Sequence, residues 1–228
     1  MNSGEPEHDT PAPSSEDLDV SGPVRKVAVF DFDGTITRRD TLVPFLYRAA
    51  GPARLAAAVI GASPRLVAGL RSPRHRDTAK EVVLRSLLRG RVAEEMREHG
   101  RRYAADLPRL FRRDTLDAIE QRRADGADLV IVSASIDFYL RPIAADLGID
   151  HLICVTMEEG SDGRLTGTLV GTNVRKGEKA VRLRAWLDET TPAGTSVELW
   201  AYGDSDGDSE LLAMADHPRW VGRRSRRA

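Results

Sequence analysis

Two short apolar runs, held far apart by a long helical stretch, constrain the fold of this 228-residue chain more than any other feature. Residues 24–30 (Val-Arg-Lys-Val-Ala-Val-Phe) and 128–132 (Asp-Leu-Val-Ile-Val) are rich in β-branched residues and read as buried strands. Between them, residues 41–123 are dominated by Leu, Ala, Arg and Glu. Breaks are predicted at Gly51-Pro52, Ser63-Pro64, Ser72-Pro73 and Leu107-Pro108. That pattern predicts a run of helices with no strand among them. Further on, a helix is predicted over 138–147, ended by Gly148, and a strand over 151–155. Residues 164–170 alternate between glycine-bearing turns and predict a small hairpin. Residues 179–187 read as a helix, and 197–202 and 219–221 as strands. Strands alternating with helices predict an α/β fold with a parallel sheet covered on both faces. The helical stretch is too long for a crossover. It is therefore expected to be an inserted all-helical cap over the carboxyl ends of the strands, where open α/β sheets bind ligands. The expected organisation is a disordered acidic tail at 1–23, a core of 24–40 and 121–222, a cap at 41–120, and a basic tail at 223–228. No internal repeat is visible.

Hydrophobic residues make up 41% of the chain and charged residues 30%, as in ordinary soluble globular proteins. A formal net charge of -1 gives no strong pull toward nucleic acid or a membrane surface. The charge is nevertheless uneven. The first 24 residues carry Glu5, Glu7, Asp9, Glu16, Asp17 and Asp19 without a Lys or Arg, whereas the 48–123 stretch is predominantly basic. Cys154 is the only cysteine, which excludes an internal disulfide and a cysteine metal cluster and fits a reducing cytoplasm. No basic segment followed by an apolar run opens the sequence, so no signal peptide is expected. The most apolar later stretch, 55–70, is interrupted by Gly61, Pro64 and Arg65 and falls short of a membrane span. A buried or amphipathic helical pair is expected there.

Chemistry concentrates at the predicted strand ends. Asp31 and Asp33 follow the first strand directly, and two such carboxylates form a hard oxygen site suited to magnesium. Beside a metal, Asp31 stays ionised and can attack a phosphoryl group. Asp33 is then placed to protonate the leaving oxygen and later to activate water. Gly34 permits a tight turn, and the Thr35 hydroxyl can orient its neighbours. The plainer alternative is an acidic turn capping the next element. Ser133, at the end of the second predicted strand, offers a hydroxyl and a neighbouring backbone amide to phosphate oxygens, or simply an N-cap. The run Gly203-Asp204-Ser205-Asp206-Gly207-Asp208 follows another strand and again suggests a divalent metal. A calcium loop starting at Asp204 would need Glu at its twelfth position, where Ala215 stands. Lys176 and Lys179 could each neutralise Asp31 and a phosphate, or be ordinary solvated lysines.

The order Asp-x-Asp-x-Thr, strand-Ser, Lys, Gly-Asp-x-x-x-Asp resembles the haloacid dehalogenase-like superfamily. More closely, it is similar to the phosphoserine phosphatase-like branch with a helical cap after the first motif. The resemblance spans roughly residues 24–222 and implies a Rossmann-like core. It implies a magnesium-dependent phosphoric monoester hydrolase acting on a small-molecule phosphate ester through an aspartyl phosphate. Asp31 would be the nucleophile and Asp33 the general acid/base. Asp31, the Asp33 carbonyl and Asp204 would hold magnesium, supported by Asp208. Thr35, Asp40, Ser133, Ala134 and Lys179 would contact substrate or phosphate. Lys179 is preferred as the catalytic lysine because an amphipathic helix follows it; Lys176 is the alternative. Relatives of this branch carry a glutamate after the first motif and a cap arginine that grips the substrate carboxylate. Here the corresponding residues are Asp40 and, near Ser86-Leu87-Leu88, Leu84, with Lys80 and Arg85 nearby. Whether phosphoserine is a substrate is therefore left open. The aliphatic and aromatic residues Leu42, Val43, Phe45, Leu46 and Tyr47 are either the cap's own core or part of a pocket for an anion with an apolar portion. A phosphotransferase or phosphomutase on the same scaffold, and a catalytically silent binding protein, are the alternatives to hydrolysis.

Overall fold

The computed structural model describes residues 22–69 and 73–222, with side chains throughout except at 64–78. The predicted tails at 1–23 and 223–228 lie almost wholly outside the described residues, as does part of the break predicted at Ser72-Pro73.

Strand β1 (Val24–Phe30) is central, because Val27, Ala28, Val29 and Phe30 are fully buried. Burying each of its larger apolar side chains stabilises the fold by roughly 1.5–3 kcal/mol. The chain then turns sharply over Phe32–Ile36 and enters α1 (Leu42–Ala50), α2 (Pro52–Gly69), α3 (Pro73–Leu88) and α4 (Ala93–Ala104). Helix α5 (Arg113–Ala124) leads into β2 (Asp128–Ile136), followed by α6 (Asp137–Asp146) and β3 (His151–Val155). A hairpin of β4 (Met157–Glu159) and β5 (Leu165–Leu169) comes next. The chain ends through α7 (Gly177–Thr190), β6 (Ser196–Gly203), α8 (Ser209–Ala213) and β7 (His217–Trp220).

The main sheet is parallel with the order β3-β2-β1-β6-β7. From β1 the chain builds outward through β2 and β3, then crosses back to add β6 and β7 on the other side. The order thus reverses beside β1, and a crevice opens there at the carboxyl ends of the strands. The Phe30 and Tyr202 rings stack across β1 and β6 with centroids 4.5 Å apart, and the Asp31 amide donates to the Tyr202 carbonyl at 3.0 Å. These contacts fix the point where β1 ends and the first acidic pair begins.

The helices α1–α4 leave and rejoin the sheet through a two-stranded stem. Thr37 bridges Phe111, the Arg38 amide donates to the Leu110 carbonyl at 2.9 Å, and the Arg112 amide donates to the Ile36 carbonyl at 2.8 Å. Helix α5 follows the stem and packs on β2, so residue 120, the expected end of the insertion, falls inside a helix of the sheet layer.

Three local expectations need correction. No break occurs at Ser63-Pro64: α2 runs as one helix through Pro64, so the expected helical pair is a single helix. Proline deprives the helix of one backbone donor, a loss that a long helix tolerates when its neighbours pack on it, and α3 packs along α2. The segment 164–170 is one arm of the hairpin rather than the whole of it; its partner β4 lies across a turn at 160–163. Strand β2 extends past 132 to Ile136, which places Ser133, Ala134 and Ser135 within the strand.

Helices α4 and α6 approach closely at Gly100, where an added Cβ would lie 2.0 Å from the Phe138 carbonyl oxygen. Gly100→Ala is therefore expected to destabilise the fold by about 1–3 kcal/mol in urea unfolding, the usual cost of overpacking a rigid contact. An unchanged midpoint would contradict this packing. Cys154 is buried on β3, and burial pushes its thiol up to about 12. At pH 8 the reactive thiolate is then roughly one part in 10⁴. Iodoacetamide at pH 8 is expected to spare the native chain and label the urea-unfolded chain fully. Because folding raises this pKa, the thiol's contribution to stability is complete below its unfolded value near 9.0 and is lost as pH rises toward 12.

Candidate active site

The turn after β1 places Asp31 and Asp33 at the crevice but aims them differently. Asp31 is buried, and the Lys179 ammonium donates to its Oδ1 at 2.5 Å. The same ammonium donates to Asp208 Oδ1 at 2.6 Å, so one buried cation ties β1, α7 and the loop after β6 together. Lys179 sits at the start of α7, one turn beyond Lys176. Lys176 lines the same cleft from a left-handed backbone conformation with φ 54°. Of the two lysines left open by the sequence, Lys179 is the one bonded to Asp31.

Asp208 anchors the loop that carries Asp204. Its Oδ2 accepts from the Ser205 amide at 3.1 Å, the Ser205 hydroxyl at 3.0 Å and the Asp204 amide at 3.3 Å. Carboxylate oxygens of Asp31, Asp204 and Asp208 lie within 4.8 Å of one another. Three carboxylates against one ammonium leave two negative charges in a largely buried space. A hard divalent cation bound by oxygen ligands fits that excess. The Asp33 side chain is not in this cluster.

Gly34 makes the cluster possible. Its φ is 91°, which disfavours any residue with a Cβ, and a Cβ there would lie 2.3 Å from Asp204 Oδ2. The Gly34 carbonyl accepts from Arg112 Nε at 2.8 Å, which ties the turn to the stem.

Asp33 is held by partners that sequence reasoning missed. Its Oδ1 accepts from the Thr41 amide at 2.8 Å and the Thr41 hydroxyl at 2.6 Å, while Oδ2 accepts from the Ser135 hydroxyl. Ser135 had a legible signal: two residues after Ser133 on a strand, it shares that residue's face. Thr41 had none, because its role depends on how the chain returns after the turn. Thr41 in turn meets the Tyr139 hydroxyl at 3.0 Å, and its carbonyl accepts from Tyr103 Oη at 2.9 Å. The start of α1 is thereby locked to Asp33.

Burial dominates the electrostatics. It pushes the Asp31 carboxyl up to about 7, against the pull of Lys179 and with help from Asp208. It pushes Asp33 up to about 6, opposed by the hydrogen bonds from Ser135 and Thr41. For Lys179 burial acts downward, but Asp31 and Asp208 outweigh it and hold the amine above its ordinary range. The arrangement sets the Asp31 carboxyl beside a fixed cation and places a second carboxyl, Asp33, where it can exchange a proton near neutrality.

The cleft over these groups has a volume of about 920 Å³. Ser133 and Ala134 line it; the Ser133 Oγ accepts from the Ser135 amide at 3.1 Å, and the Ala134 carbonyl accepts from Lys80 of α3. Asp40 lines it too, with its Oδ1 accepting from the Val43 amide at 3.2 Å. Leu42, Val43, Leu46 and Leu84 face the cleft, whereas Phe45 is in the core, packed against Tyr103 and Tyr139. Thr35 is not brought to the cleft. It is fully buried, its hydroxyl is without a hydrogen-bond partner, and its carbonyl accepts from the Thr115 hydroxyl at 2.8 Å. Among the described residues, no helix is long and apolar enough to cross a membrane.

Comparison with known proteins places the chain among relatives. The chain is 39% identical over 192 residues to Protein CicA of Caulobacter vibrioides (strain NA1000 / CB15N), covering 83% of each. It is 30% identical over 128 residues to a histidinol-phosphatase of Neisseria meningitidis serogroup C, covering 55% of this chain and 57% of that one. A solved protein of unknown function from Bordetella pertussis Tohama I superposes with a TM-score of 0.68 at 27% identity, over 83% of this chain and 86% of that one. A phosphoserine phosphatase in its apo form shares the fold, with a TM-score of 0.56 at 18% identity over 84% and 83% of the two chains. The family model for haloacid dehalogenase-like hydrolases matches residues 28–213, from the middle of β1 to the end of α8, and the chain belongs to that family.

Proposed function

We propose that this protein is a magnesium-dependent phosphatase that hydrolyses a small-molecule phosphate monoester through an aspartyl phosphate on Asp31. The observation that carries the reading is the buried Asp31–Lys179–Asp208 bridge beside Asp204, at the reversal point of the sheet. The relationship to a histidinol-phosphatase supports the same reaction class.

In the first step an Asp31 oxygen attacks phosphorus in line with the ester oxygen. The bond from phosphorus to that oxygen breaks, and Asp33 gives its proton to the departing alkoxide. Thr41 and Ser135 hold Asp33 in position for the transfer. In the second step Asp33, now a carboxylate, takes a proton from water. The water oxygen bonds to phosphorus and Asp31 departs as a carboxylate, releasing inorganic phosphate. Lys179 offsets negative charge on Asp31 and the phosphoryl oxygens throughout. Ser133 and the Ala134 amide bind phosphate oxygens. A magnesium ion bound by Asp31, the Asp33 carbonyl and Asp204 would supply further charge neutralisation at the phosphoryl group. Asp208 acts as a positioning residue through Lys179 and the Asp204 loop. Helices α1–α4 serve as the cap, and the Thr41–Asp33 bond couples their position to the proton donor.

Hydrolysis of p-nitrophenyl phosphate tests the reading. Turnover is expected with magnesium, with loss in EDTA and recovery on adding the ion back. Asp204→Asn is expected to raise the magnesium concentration for half-maximal rate by about 10- to 100-fold. Full activity in EDTA would overturn the metal assignment.

A further inference from the structure

The cleft has two unlike walls. Its floor, at the strand ends, is built from the charged and hydroxyl groups described above. Among the described residues its roof, contributed by α1, α2 and α3, is mostly aliphatic: Leu42, Val43 and Leu46 from α1, Val59 from α2, and Val83 and Leu84 from α3. Among the described residues, Lys80 is the charged lining side chain these three helices supply. Its ammonium is already bonded to the Ala134 carbonyl and to Asn173 Oδ1. Val43 and Val59 are 57% and 42% exposed although they line the cleft, so apolar surface faces the space above the phosphate site. At about 920 Å³ that space is near the upper end of ligand pockets, which run to about 1,000 Å³, and far exceeds what a phosphoryl group fills.

We infer that the cleft takes phosphate monoesters whose leaving group is a flexible aliphatic alcohol, with its hydrocarbon lying against α1–α3. This rests on the phosphatase reading and names the substrate class for the same site. A carboxylate-bearing leaving group needs a cation in the roof; the cleft's other cations, Arg175 and Lys176, line it from the segment just before α7, and Leu84 offers an isobutyl group in the roof. A cationic leaving group needs an anion in the roof, and among the described residues α1–α3 supply none to the lining; Asp40, just before α1, accepts from the Val43 amide. Hydrocarbon needs neither. It gains by leaving water, and covers the exposed valines as it does so.

The test uses the full chain with magnesium and reads kcat/KM for methyl, butyl, hexyl and octyl phosphate beside phosphoserine and histidinol phosphate. Specificity is expected to rise about two- to fourfold per methylene, the upper figure being that of a fully buried group, until the roof is covered. Octyl phosphate should exceed both amino-alcohol esters by at least roughly tenfold. Val59→Asp should lower the octyl-to-methyl ratio, while Ile60→Asp, 70% exposed on α2 and outside the lining, should leave it unchanged. A flat series, or a preference for phosphoserine or histidinol phosphate, would overturn the inference even with brisk magnesium-dependent turnover of p-nitrophenyl phosphate. Failure to hydrolyse any ester, p-nitrophenyl phosphate included, would overturn the phosphatase reading and this inference together.

Discussion

Replacing Asp31 by Asn is expected to lower kcat for p-nitrophenyl phosphate by on the order of 10⁴-fold or more while leaving the fold intact. Deleting a nucleophile removes the covalent route altogether, and losses of that size follow. The fold survives because the amide is nearly isosteric and the deleted charge was itself costly to bury. Lys179 keeps Asp208 as its ion-pair partner, so no unpaired cation remains inside. The melting temperature should therefore move little while activity vanishes. Near-normal magnesium-dependent turnover by the variant would show that another group attacks phosphorus.

Lys179→Met is expected to damage both activity and stability, and Lys176→Met neither to a comparable degree. Removing the Lys179 ammonium leaves Asp31 and Asp208 buried without their shared partner. Breaking a buried ion pair from one side costs about 3–5 kcal/mol. In kinetics, loss of the charge facing the phosphoryl oxygens should lower kcat by about 10²–10³-fold. Lys176 lines the cleft but is absent from this bridge, so its replacement should change kcat less than about tenfold and stability by no more than about 1 kcal/mol. Urea unfolding and steady-state kinetics on the two variants decide the matter. If Lys176→Met proved the more damaging, the bridge would not be the catalytic cation.

Much of this arrangement was legible because each signal was local. Strand β1 announces itself by Val27, Ala28, Val29 and Phe30, and the acidic pair directly after it gains its meaning from the Gly-Thr that follows and from the later motifs. The parallel sheet followed from strand and helix alternation, and the insertion from a helical stretch too long for a crossover. What stayed hidden was set by distant packing. Nothing near Thr41 in sequence says that it bonds Asp33, since that contact forms only when the stem between Ile36 and Arg112 brings α1 back over the turn. The choice between Lys176 and Lys179 could not be made from spacing alone, because both flank the start of α7 and the bridge to Asp31 and Asp208 separates them. Thr35 misled for the opposite reason: its place in the motif suggested the cleft, but the turn carries its side chain into the interior. Proline at 64 suggested a helix end, and packing of α2 against α3 overrides it.

Trapping the covalent species tests the central claim most directly. The protein, magnesium and a phosphate ester are mixed and quenched in acid, then treated with borohydride, which reduces an aspartyl phosphate to homoserine, and digested for peptide mass spectrometry. The account predicts homoserine at position 31, dependent on both ester and magnesium and absent in Asp31→Asn. Ester hydrolysis under the same conditions with residue 31 always recovered as aspartate, or the modification at another carboxylate such as Asp33 or Asp204, would contradict it.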